Sequence, residues 1–393
     1  MKLLHLGDLH LGARLEGISR LDEQKEVMRE IVDIANRENV DAAIICGDVF
    51  DKSVPSAEAE DLFFETVEAL SDDGKRFVLV IAGNHDDPAR LGAGSHLAKK
   101  HNILIASDLN AKFEFKNNSD DGTIVDEVLE GCVKIHKGDD KCVIAYLPYP
   151  NRSRFGKDDV SSYEDFVSEM AMRGAAYFDI DTFNVFASHL FVVGGKYFSA
   201  GEEKEIRLGE ALSVDKAYLP KAHYVALGHL HKTQEVYKNA YYSGSTTCAR
   251  FYDKQPNVLV VDGDKDGVKN IKAVPLTKAY SLKSVEVQSI EEAERILKEM
   301  GERVYVELVC HQTAPIASSE IKKLKREFPF VMNIRLVKEN PENKFLEKFV
   351  SKKDISSREI FENFYKSKRG EKPNGEMVEL FLELLKGGAN EAD

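Results

Sequence analysis

The residues of this chain best suited to chemistry are Asp, Asn and His side chains grouped in five short motifs. Together they offer carboxylate oxygens, an amide oxygen and imidazole nitrogens, which are donors that hold divalent cations in hydrolytic sites. A pair of such cations can bind a phosphate ester and activate water for its hydrolysis. The motifs are Asp8-Leu9-His10, Gly47-Asp48, Gly83-Asn84-His85-Asp86, Ser188-His189 and Gly228-His229-Leu230-His231.

An apolar run that is typical of a buried strand precedes each motif. Four of these runs are continuous, and the run at 183–187 alternates more but is still strand-like. Because sites in α/β sheets form at the carboxyl ends of strands, we expect the motifs to lie close together. The runs cover residues 3–6, 42–46, 77–81, 183–187 and 224–227.

Taken one at a time, the motifs also have ordinary structural interpretations. Asp8 and His10 could be a turn residue and a surface histidine, and residues 83–86 could form a turn. A single His189 is more often a hydrogen-bonded core histidine than a metal ligand. The joint placement of seven donors after five strands favours a dinuclear metal site over these alternatives.

The donor types indicate the metals and the roles to expect. Carboxylate, amide and imidazole without thiolate suit Mn²⁺, with Fe²⁺, Co²⁺ or Zn²⁺ as alternatives, whereas Mg²⁺ prefers nearly all-oxygen shells. Asp48 has two oxygens and could bridge the two cations. His85 could act as an acid, with Asp86 orienting its ring. The candidate metal ligands are Asp8, His10, Asp48, Asn84, His189, His229 and His231.

The order of the predicted elements indicates an α/β fold with two sheets flanked by helices over residues 1–276. Up to about residue 105, strands and helices alternate, which implies right-handed crossovers and a largely parallel sheet. Residues 106–140 are polar and turn-rich, as expected of hairpins or loops at a sheet edge. Short strands up to about residue 274 are expected to close the second sheet.

Composition changes near residue 277 and again near residue 343. Residues 277–342 predict a βαβαβ unit without motif residues, and hence a small separate α+β domain. Residues 343–393 contain two short amphipathic segments, which would be marginal helices alone and need a surface to cover. That surface is either a partner or this chain's own body. Their apolar residues are Ile360, Phe361, Phe364, Tyr365, Val378, Phe381, Leu384 and Leu385.

Bulk composition excludes several classes of protein. No apolar run approaches the roughly 20 residues of a membrane span, and the first residues lack secretory-signal features, so we expect a cytoplasmic protein. Five scattered cysteines without CxxC spacing argue against disulfides and cysteine zinc sites. A net charge of −13 excludes a uniformly basic nucleic-acid binder but allows a local basic groove.

As a set, the motifs resemble those of the calcineurin-like metallophosphoesterases, and within them the branch of double-strand-break-repair nucleases. The resemblance covers essentially the whole chain and is carried by LGDLHLG at 6–12, CGDVFD at 46–51, AGNHD at 82–86 and ALGHLH at 226–231. It implies that Asp48 bridges the metals, with His85 beside the scissile phosphate and Asp86 supporting it. It also implies one metal on Asp8, His10, Asp48 and His231, and the other on Asp48, Asn84, His189 and His229.

One position departs from the pattern of archaeal and eukaryotic relatives, which carry a second histidine just after the bridging aspartate motif. Asp51 stands there in this chain, as in the bacterial pattern. No role of that histidine is therefore transferred.

The resemblance implies a Mn²⁺-dependent DNA nuclease subunit, associated with the nucleoid, that acts 3′ to 5′ on duplex ends and cuts hairpins and single strands. It further implies a homodimer through helices near 56–70 and 90–101, a DNA-facing cap at 277–342, and C-terminal helices that grip the coiled-coil base of a partner ATPase. The chain itself lacks a phosphate-binding loop, because Gly194-Gly195-Lys196 does not have the required spacing. ATP would therefore be bound by the partner.

Contacts with DNA phosphates are expected from basic residues near the motifs, although each could equally be a solvated surface charge. These residues are Arg14, Arg152, Arg154, Lys196 and Arg250. Tyr197 and Phe198 could stack on an unpaired base or pack locally. Two other functions stay open, namely a phosphodiesterase or phosphatase for a small molecule or phosphoprotein, and a non-catalytic scaffold that bridges DNA ends.

Overall fold

A computed structural model of the chain falls into two compact units. The first unit comprises Met1–Ser284, Met300–Glu307 and Phe330–Asn333, and the second comprises Val285–Glu299, Leu308–Pro329 and Ile334–Asp393. The predicted domain boundaries near residues 277 and 343 stay predictions. The residues described are 1–109, 121–151, 162–199, 202–205, 212–248, 255–301, 303–311, 316–337, 358, 361–362, 365–366 and 372–387.

The first of two large sheets has six strands, numbered along the chain as β1 (Lys2–Leu6), β4 (Ala42–Cys46), β5 (Phe77–Ile81), β6 (Ile103–Ala106), β18 (Asn257–Asp264) and β19 (Gly267–Pro275). Their order is β19-β18-β1-β4-β5-β6. The four strands from β1 to β6 run parallel, as the alternation of strands and helices predicts. Strands β4 and β5 are buried at every position, which explains why their sequences are continuously apolar.

The expectation that the short strands up to about residue 274 close the second sheet is wrong for β18 and β19, which include the run at 258–261. Strand β18 pairs antiparallel with β1, with Val261 opposite Leu3, and β19 pairs antiparallel with β18. Buried backbone groups need hydrogen-bond partners, and β1 is buried along nearly its whole length. The β18–β19 hairpin therefore completes the first sheet on the open side of β1.

The second sheet consists of β7 (Ile124–Leu129), β8 (Cys132–Lys137), β9 (Asp140–Leu147), β10 (Phe183–His189), β15 (Tyr224–Gly228), β16 (Gln234–Tyr237) and β17 (Ala240–Tyr242). Their order is β16-β17-β15-β10-β9-β8-β7, and four neighbouring strands, from β17 to β9 in this order, run parallel. The antiparallel hairpin of β7 and β8 lies at its edge, within the segment for which edge hairpins were expected.

Within the described residues, the first unit also contains shorter strands and helices. The two-stranded pairs are β2 (Arg14–Leu15) with β3 (Ile18–Ser19), β11 (Phe191–Val192) with β14 (Ser213–Val214), and β12 (Lys196–Ser199) with β13 (Glu202–Glu205). The helices are α1 (Leu21–Arg37), α2 (Ala57–Ser71), α3 (Pro88–Gly92), α4 (Ser95–Ala98) and α5 (Tyr163–Ala175), with 3₁₀ turns at Lys99–His101 and Lys216–Tyr218.

Three apolar cores hold these layers together, and they confirm the predicted sandwich of two sheets flanked by helices. One core joins α1 and α2 to the outer face of the first sheet, through residues such as Ile31, Phe63 and Val80. A second fills the space between the sheets, and a third joins α5 to the outer face of the second sheet. The ends of five central strands are thereby held at one rim.

The C-terminal part of the chain follows the predicted βαβαβ order. Strands β20 (Ser281–Val287), β21 (Val304–Cys310) and β22 (Val331–Leu336) form a three-stranded sheet in that order. They alternate with helices α6 (Ile290–Lys298) and α7 (Ser318–Glu327), which are joined by an ion pair of Lys323 with Glu294 at 3.2 Å. Helix α8 (Gly375–Gly387) follows. Within the described ranges, no helix has the length and apolar character needed to cross a membrane.

The carboxyl ends of the two large sheets approach each other closely. A Cβ atom on Gly228 would lie 1.7 Å from the carbonyl oxygen of Cys46, so only glycine fits there. On the other side, Gly47 has a φ of +79°, and a Cβ atom would lie 2.4 Å from Nδ1 of His189. Backbone from one sheet therefore touches backbone and a side chain from the other without an intervening residue.

Because the contact is so close, we expect one added methyl group to destabilise the fold strongly. We expect Gly228→Ala to lower the free energy of unfolding by about 3 kcal/mol, because the obstructing atom is backbone that cannot rotate away. Gly301→Ala is the matched control, since nothing lies within 4 Å of the position that its methyl group would take. Urea unfolding of both variants measures the difference, and equal stabilities would contradict the close approach.

Candidate metal centre

All seven candidate ligands lie at or just beyond the carboxyl ends of five strands. Asp8 and His10 follow β1, Asp48 follows β4 and Asn84 follows β5 in the first sheet. From the second sheet, His189 is the last residue of β10, whereas His229 and His231 follow β15. The close approach of the two sheets brings these loops together, so that donors distant in sequence meet at one rim.

Three of these side chains converge on one atom of a fourth, Nε2 of His189. It lies 3.0 Å from Oδ1 of Asn84, 3.0 Å from Nδ1 of His229 and 3.4 Å from Oδ2 of Asp48. Nδ1 of His189 lies 2.8 Å from the carbonyl oxygen of Cys46, to which it donates its hydrogen. In the neutral ring, Nε2 therefore presents a lone pair to three other electron-rich atoms.

A second group of donors lies beside the first. Nε2 of His10 is 3.1 Å from Nε2 of His231 and 3.8 Å from Oδ2 of Asp48. The nearest donor atoms of Asp8, His10 and His231 all lie within 4.8 Å of one another. Asp48 thus contributes one carboxylate to both groups, and its other oxygen accepts the backbone N–H of His85 at 2.9 Å.

These donors fit a pair of divalent cations. Lone pairs converge from both sides, and the few available hydrogens cannot satisfy all of them at once. In the described part of the chain, Nδ1 of His10 and Nε2 of His229 are buried without a hydrogen-bond partner. His189 also has the arrangement typical of a ligating histidine, in which the other ring nitrogen donates to a backbone carbonyl.

The electrostatics of the site follow from burial and from Asp48. Burial, reinforced by His231, lowers the pKa of His10 to about 3, and burial with His189 nearby lowers the pKa of His229 to about 2. Both rings are therefore neutral at pH 7, the form that binds metals. For His189, burial is outweighed by the charge of Asp48, which raises its pKa to about 9. The same contact outweighs burial at Asp48 and holds the pKa of that carboxyl below its usual range.

The backbone at several candidate ligands is left-handed. Asp8, His10 and Asp48 have φ values of 52°, 44° and 48°, and His229 has a φ of 105°. Side chains other than glycine adopt such conformations rarely, although Asp, Asn and His do so more readily than most. The left-handed backbone of the turns after the strands therefore directs these side chains toward the site.

His85 lies on the more open side of the site. Its side chain is 43% exposed, and Nε2 lies 4.0 Å from Oδ2 of Asp48. The other ring nitrogen, Nδ1, lies 2.8 Å from the carbonyl oxygen of Asp51, which accepts its hydrogen. This differs from the expectation that Asp86 orients the ring.

Asp86 instead fixes the backbone of two ligand-bearing loops. Its buried carboxylate accepts N–H hydrogen bonds from Val49 at 3.1 Å, Phe50 at 3.0 Å and Gly83 at 2.8 Å. The reason that Asp86 does not orient the ring is geometric. Its carboxylate accepts two neighbouring amides of the Asp48 loop and therefore points toward that backbone. The backbone carbonyl of Asp51 is then the group positioned to hold the ring of His85.

His5 is a buried polar residue within a stretch of sequence that otherwise reads as an apolar run. Nδ1 of His5 lies 2.8 Å from the hydroxyl of Tyr224, and Nε2 lies 3.2 Å from the carbonyl oxygen of Leu227. Burial lowers its pKa to about 3. A histidine inside an otherwise apolar strand was the available signal that a polar contact joins the two sheets there.

The basic residues expected to contact DNA are only partly described. Arg14 lies in β2 and donates to the carbonyl oxygen of Gly17 in its own hairpin. Lys196 is exposed in β12. Arg152, Arg154 and Arg250 lie outside the described residues, as do the side chains of Tyr197 and Phe198. The expected DNA contacts stay predictions.

The apolar residues of the C-terminal segments partly cover one another. Phe361 stacks on Phe381 with ring centroids 4.2 Å apart and lies 6.1 Å from Tyr365, while Val378 is buried. Met377 and Leu380 of α8, which were not among the residues expected to bind a partner, are exposed. Ile360 and Phe364 lie outside the described residues, as do the side chains of Leu384 and Leu385.

With this geometry established, comparison with known proteins identifies the class. Residues 1–261 match the calcineurin-like phosphoesterase family, and the chain belongs to it. The Asp and His clusters are those of a metallophosphoesterase, a metal-dependent hydrolase.

Among individual proteins, the chain is similar to one nuclease subunit from three bacteria. The chain is 32% identical to the D subunit of the SbcCD nuclease of Bacillus subtilis (strain 168), with 98% of both chains covered. It is 27% identical to the protein of that name from Staphylococcus epidermidis, with 93% of both covered, and 26% identical to that from Staphylococcus saprophyticus, with 94% of both covered.

The pKa values predict how the metal-free protein responds to acid. His5, His10 and His229 have pKa values near 3, 3 and 2 when folded, but near 6.5 when unfolded, so unfolding takes up protons below pH 6.5. Their contribution to stability is present above pH 6.5 and is lost progressively as the pH falls from 6.5 toward 3. Urea unfolding with chelator at pH 7, 5.5 and 4.5 measures this loss.

A variant isolates the contribution of one ring. His5→Gln should reduce the slope of stability against pH by about 1.4 kcal/mol per pH unit between pH 5.5 and 4.5, because one proton fewer is taken up there. An unchanged slope would show that His5 is not held neutral.

Proposed function

We propose that this chain is a Mn²⁺-dependent DNA nuclease subunit, with 3′-to-5′ exonuclease activity on duplex ends and endonuclease activity on hairpins and single strands. The observation that carries the proposal is the carboxylate of Asp48 between two clusters of metal-type donors, at distances of 3.4 and 3.8 Å from His189 and His10. The proposal is supported by similarity along almost the full length to proteins named as nuclease subunits.

The seven donors divide into two sets that share Asp48. Asp8, His10 and His231 would hold one cation with Asp48, and Asn84, His189 and His229 would hold the other with Asp48. When bound, two such cations neutralise a phosphodiester and lower the pKa of the attacking water. The mixture of carboxylate, amide and neutral imidazole favours Mn²⁺ over Mg²⁺.

His85 supplies the proton for the leaving oxygen. Its Nδ1–H donates to the Asp51 carbonyl, so the protonated ring presents Nε2–H on the open side of the site. The backbone N–H of the same residue holds one oxygen of Asp48, which ties the position of the acid to that of the shared carboxylate. Asp86 keeps both loops in place through its three backbone contacts and acts as a positioning residue.

A labelled DNA hairpin tests this function directly. We expect Mn²⁺-dependent cleavage by the wild-type chain, assayed with and without ATP and SbcC, the proposed partner ATPase. His85→Ala should retain its metal content but cleave about 10²–10⁴-fold more slowly, because it lacks the acid. His96→Ala, which replaces an exposed histidine on α4, serves as the control.

Several outcomes would contradict the proposal. A metal-loaded His85→Ala protein that cleaves at the wild-type rate would remove the acid role. A wild-type protein that hydrolyses cyclic nucleotides but neither hairpin nor plasmid DNA would favour the small-molecule phosphodiesterase. Intact binding of DNA ends without any cleavage would favour the scaffold.

We further propose that the chain acts as a homodimer. Phe64 on α2 and Leu97 on α4 are large apolar residues exposed to 39% and 65%, and they line one apolar groove with Ala93 and Ile103. A second copy could cover this surface. A cytoplasmic, nucleoid-associated location is consistent with action on chromosomal DNA.

The C-terminal helices would bind SbcC, the coiled-coil ATPase that completes the nuclease. Stacking of Phe361 on Phe381 fixes the two segments against each other, which leaves Met377 and Leu380 of α8 for a partner. Because the partner would carry the nucleotide site, ATP dependence should be absent from this chain alone.

Removal of residues 350–393 tests that assignment. We expect the truncated chain to lose SbcC binding while Mn²⁺-dependent hairpin cleavage persists, because every candidate metal ligand lies before residue 232. Leu380→Asp should weaken binding without truncation, since the side chain is 56% exposed. Co-purification with SbcC is the measurement, and undiminished binding by both variants would reject the assignment.

A further inference from the structure

Gln24 is a fully buried amide on α1 that hydrogen-bonds the loop carrying Asp8 and His10. Its Oε1 accepts the backbone N–H of Gly12 at 3.0 Å. Its Nε2 donates to the carbonyl oxygen of His10 at 2.7 Å, with that of Leu9 at 3.4 Å. A side chain on a long, well-packed helix thus holds the backbone of both flanks of His10.

The loop needs such support because its conformation is unfavourable on its own. Asp8 and His10 both have left-handed backbone, with φ values of 52° and 44°. Conformations of this kind persist only where the surroundings hold them. The hydroxyl of Ser245 donates to the carbonyl oxygen of Asp8 at 3.0 Å, so the loop is held on a second side as well.

The neighbouring ligand loops show the same principle with different chemistry. Asp86 accepts three backbone N–H groups there, which suits a carboxylate because it has no hydrogen to donate. The Asp8 loop offers both an N–H and carbonyl oxygens to its support. A side-chain amide can accept through its oxygen and donate through its nitrogen at the same time, and Gln24 provides one from the beginning of α1.

We propose that Gln24 is a positioning residue that fixes Asp8 and His10 for the cation they would share with His231. The inference rests on the proposed two-metal site. Nε2 of His10 lies 3.1 Å from Nε2 of His231, so a small displacement of the loop changes the separation of these two donors. Loss of Gln24 therefore weakens this cation site more than the other. The donors of the other site lie on other loops, although the backbone N–H of one of them, His229, donates to Asp8.

Mn²⁺ titration of the full chain tests the inference without reference to cleavage. Gln24→Met keeps the length of the side chain but removes its hydrogen bonds, and Gln24→Glu keeps the acceptor while it removes the donor. We expect the affinity for one of two Mn²⁺ ions to fall about 10–100-fold in Gln24→Met, as is typical when support for a ligand is lost. The other affinity should fall by a clearly smaller factor, because His189 takes its support from the Cys46 carbonyl and not from the Asp8 loop.

Thr66→Val is the matched control, because it removes a buried side-chain hydrogen bond to the Leu62 carbonyl within α2, away from the ligand loops. It should leave both affinities unchanged. Electron paramagnetic resonance adds a second readout, since loss of one ion removes the spin coupling between a pair of Mn²⁺ ions. Gln24→Glu, which keeps the Gly12 contact, should weaken the same site by a smaller factor, and it provides the test if Gln24→Met fails to fold.

The inference would be overturned if both Gln24 variants bound two Mn²⁺ ions with wild-type affinities, or if both sites weakened equally. It would fail together with the two-metal site if the wild-type chain bound fewer than two ions. Failure of the nuclease proposal is separate, because it would appear as two tightly bound Mn²⁺ ions without cleavage of DNA.

Discussion

The contact between the carbonyl group of Cys46 and the second sheet is the constraint on which the rest of the structure depends. That oxygen accepts Nδ1–H of His189 and lies where a side chain at position 228 would have to be. It joins the two sheets at their carboxyl ends and simultaneously selects the tautomer of His189 that offers Nε2 to the site. The architecture and the chemistry are therefore set by the same few atoms.

Around this contact, the folded chain brings together more lone pairs than the available hydrogens can satisfy. Asp8, Asp48 and the imidazoles face one another in a largely buried volume, where unpaired charges and lone pairs are costly. In the metal-free chain, a proton on His189 relieves part of that cost through Asp48, as the raised pKa of His189 indicates. Two cations would relieve it more completely, which links metal binding to the stability of the whole rim.

Much of the site could be predicted from local sequence, because each motif directly follows an apolar run. The pairing of β18 with β1 could not, since it joins opposite ends of the sandwich domain, with Asp262 opposite Lys2, and depends on which sheet edge is open. The hydrogen bond that orients His85 could not be predicted either. It is accepted by the backbone carbonyl of Asp51, and every residue type has such a carbonyl. His5 shows another limit of sequence analysis. Its neighbours are apolar, so the run predicted a buried strand but not the polar contacts of His5 with the other sheet.

The left-handed turns at Asp8, His10, Asp48 and His229 have a practical consequence for anyone handling the protein. Each such turn is maintained by its neighbours against its own conformational preference, at a cost on the order of 1 kcal/mol or more. Bound ions would stabilise all four turns at once, because each turn carries a candidate ligand. Removal of the ions by a chelator would therefore leave these turns to their protein neighbours alone and lower the stability of the rim.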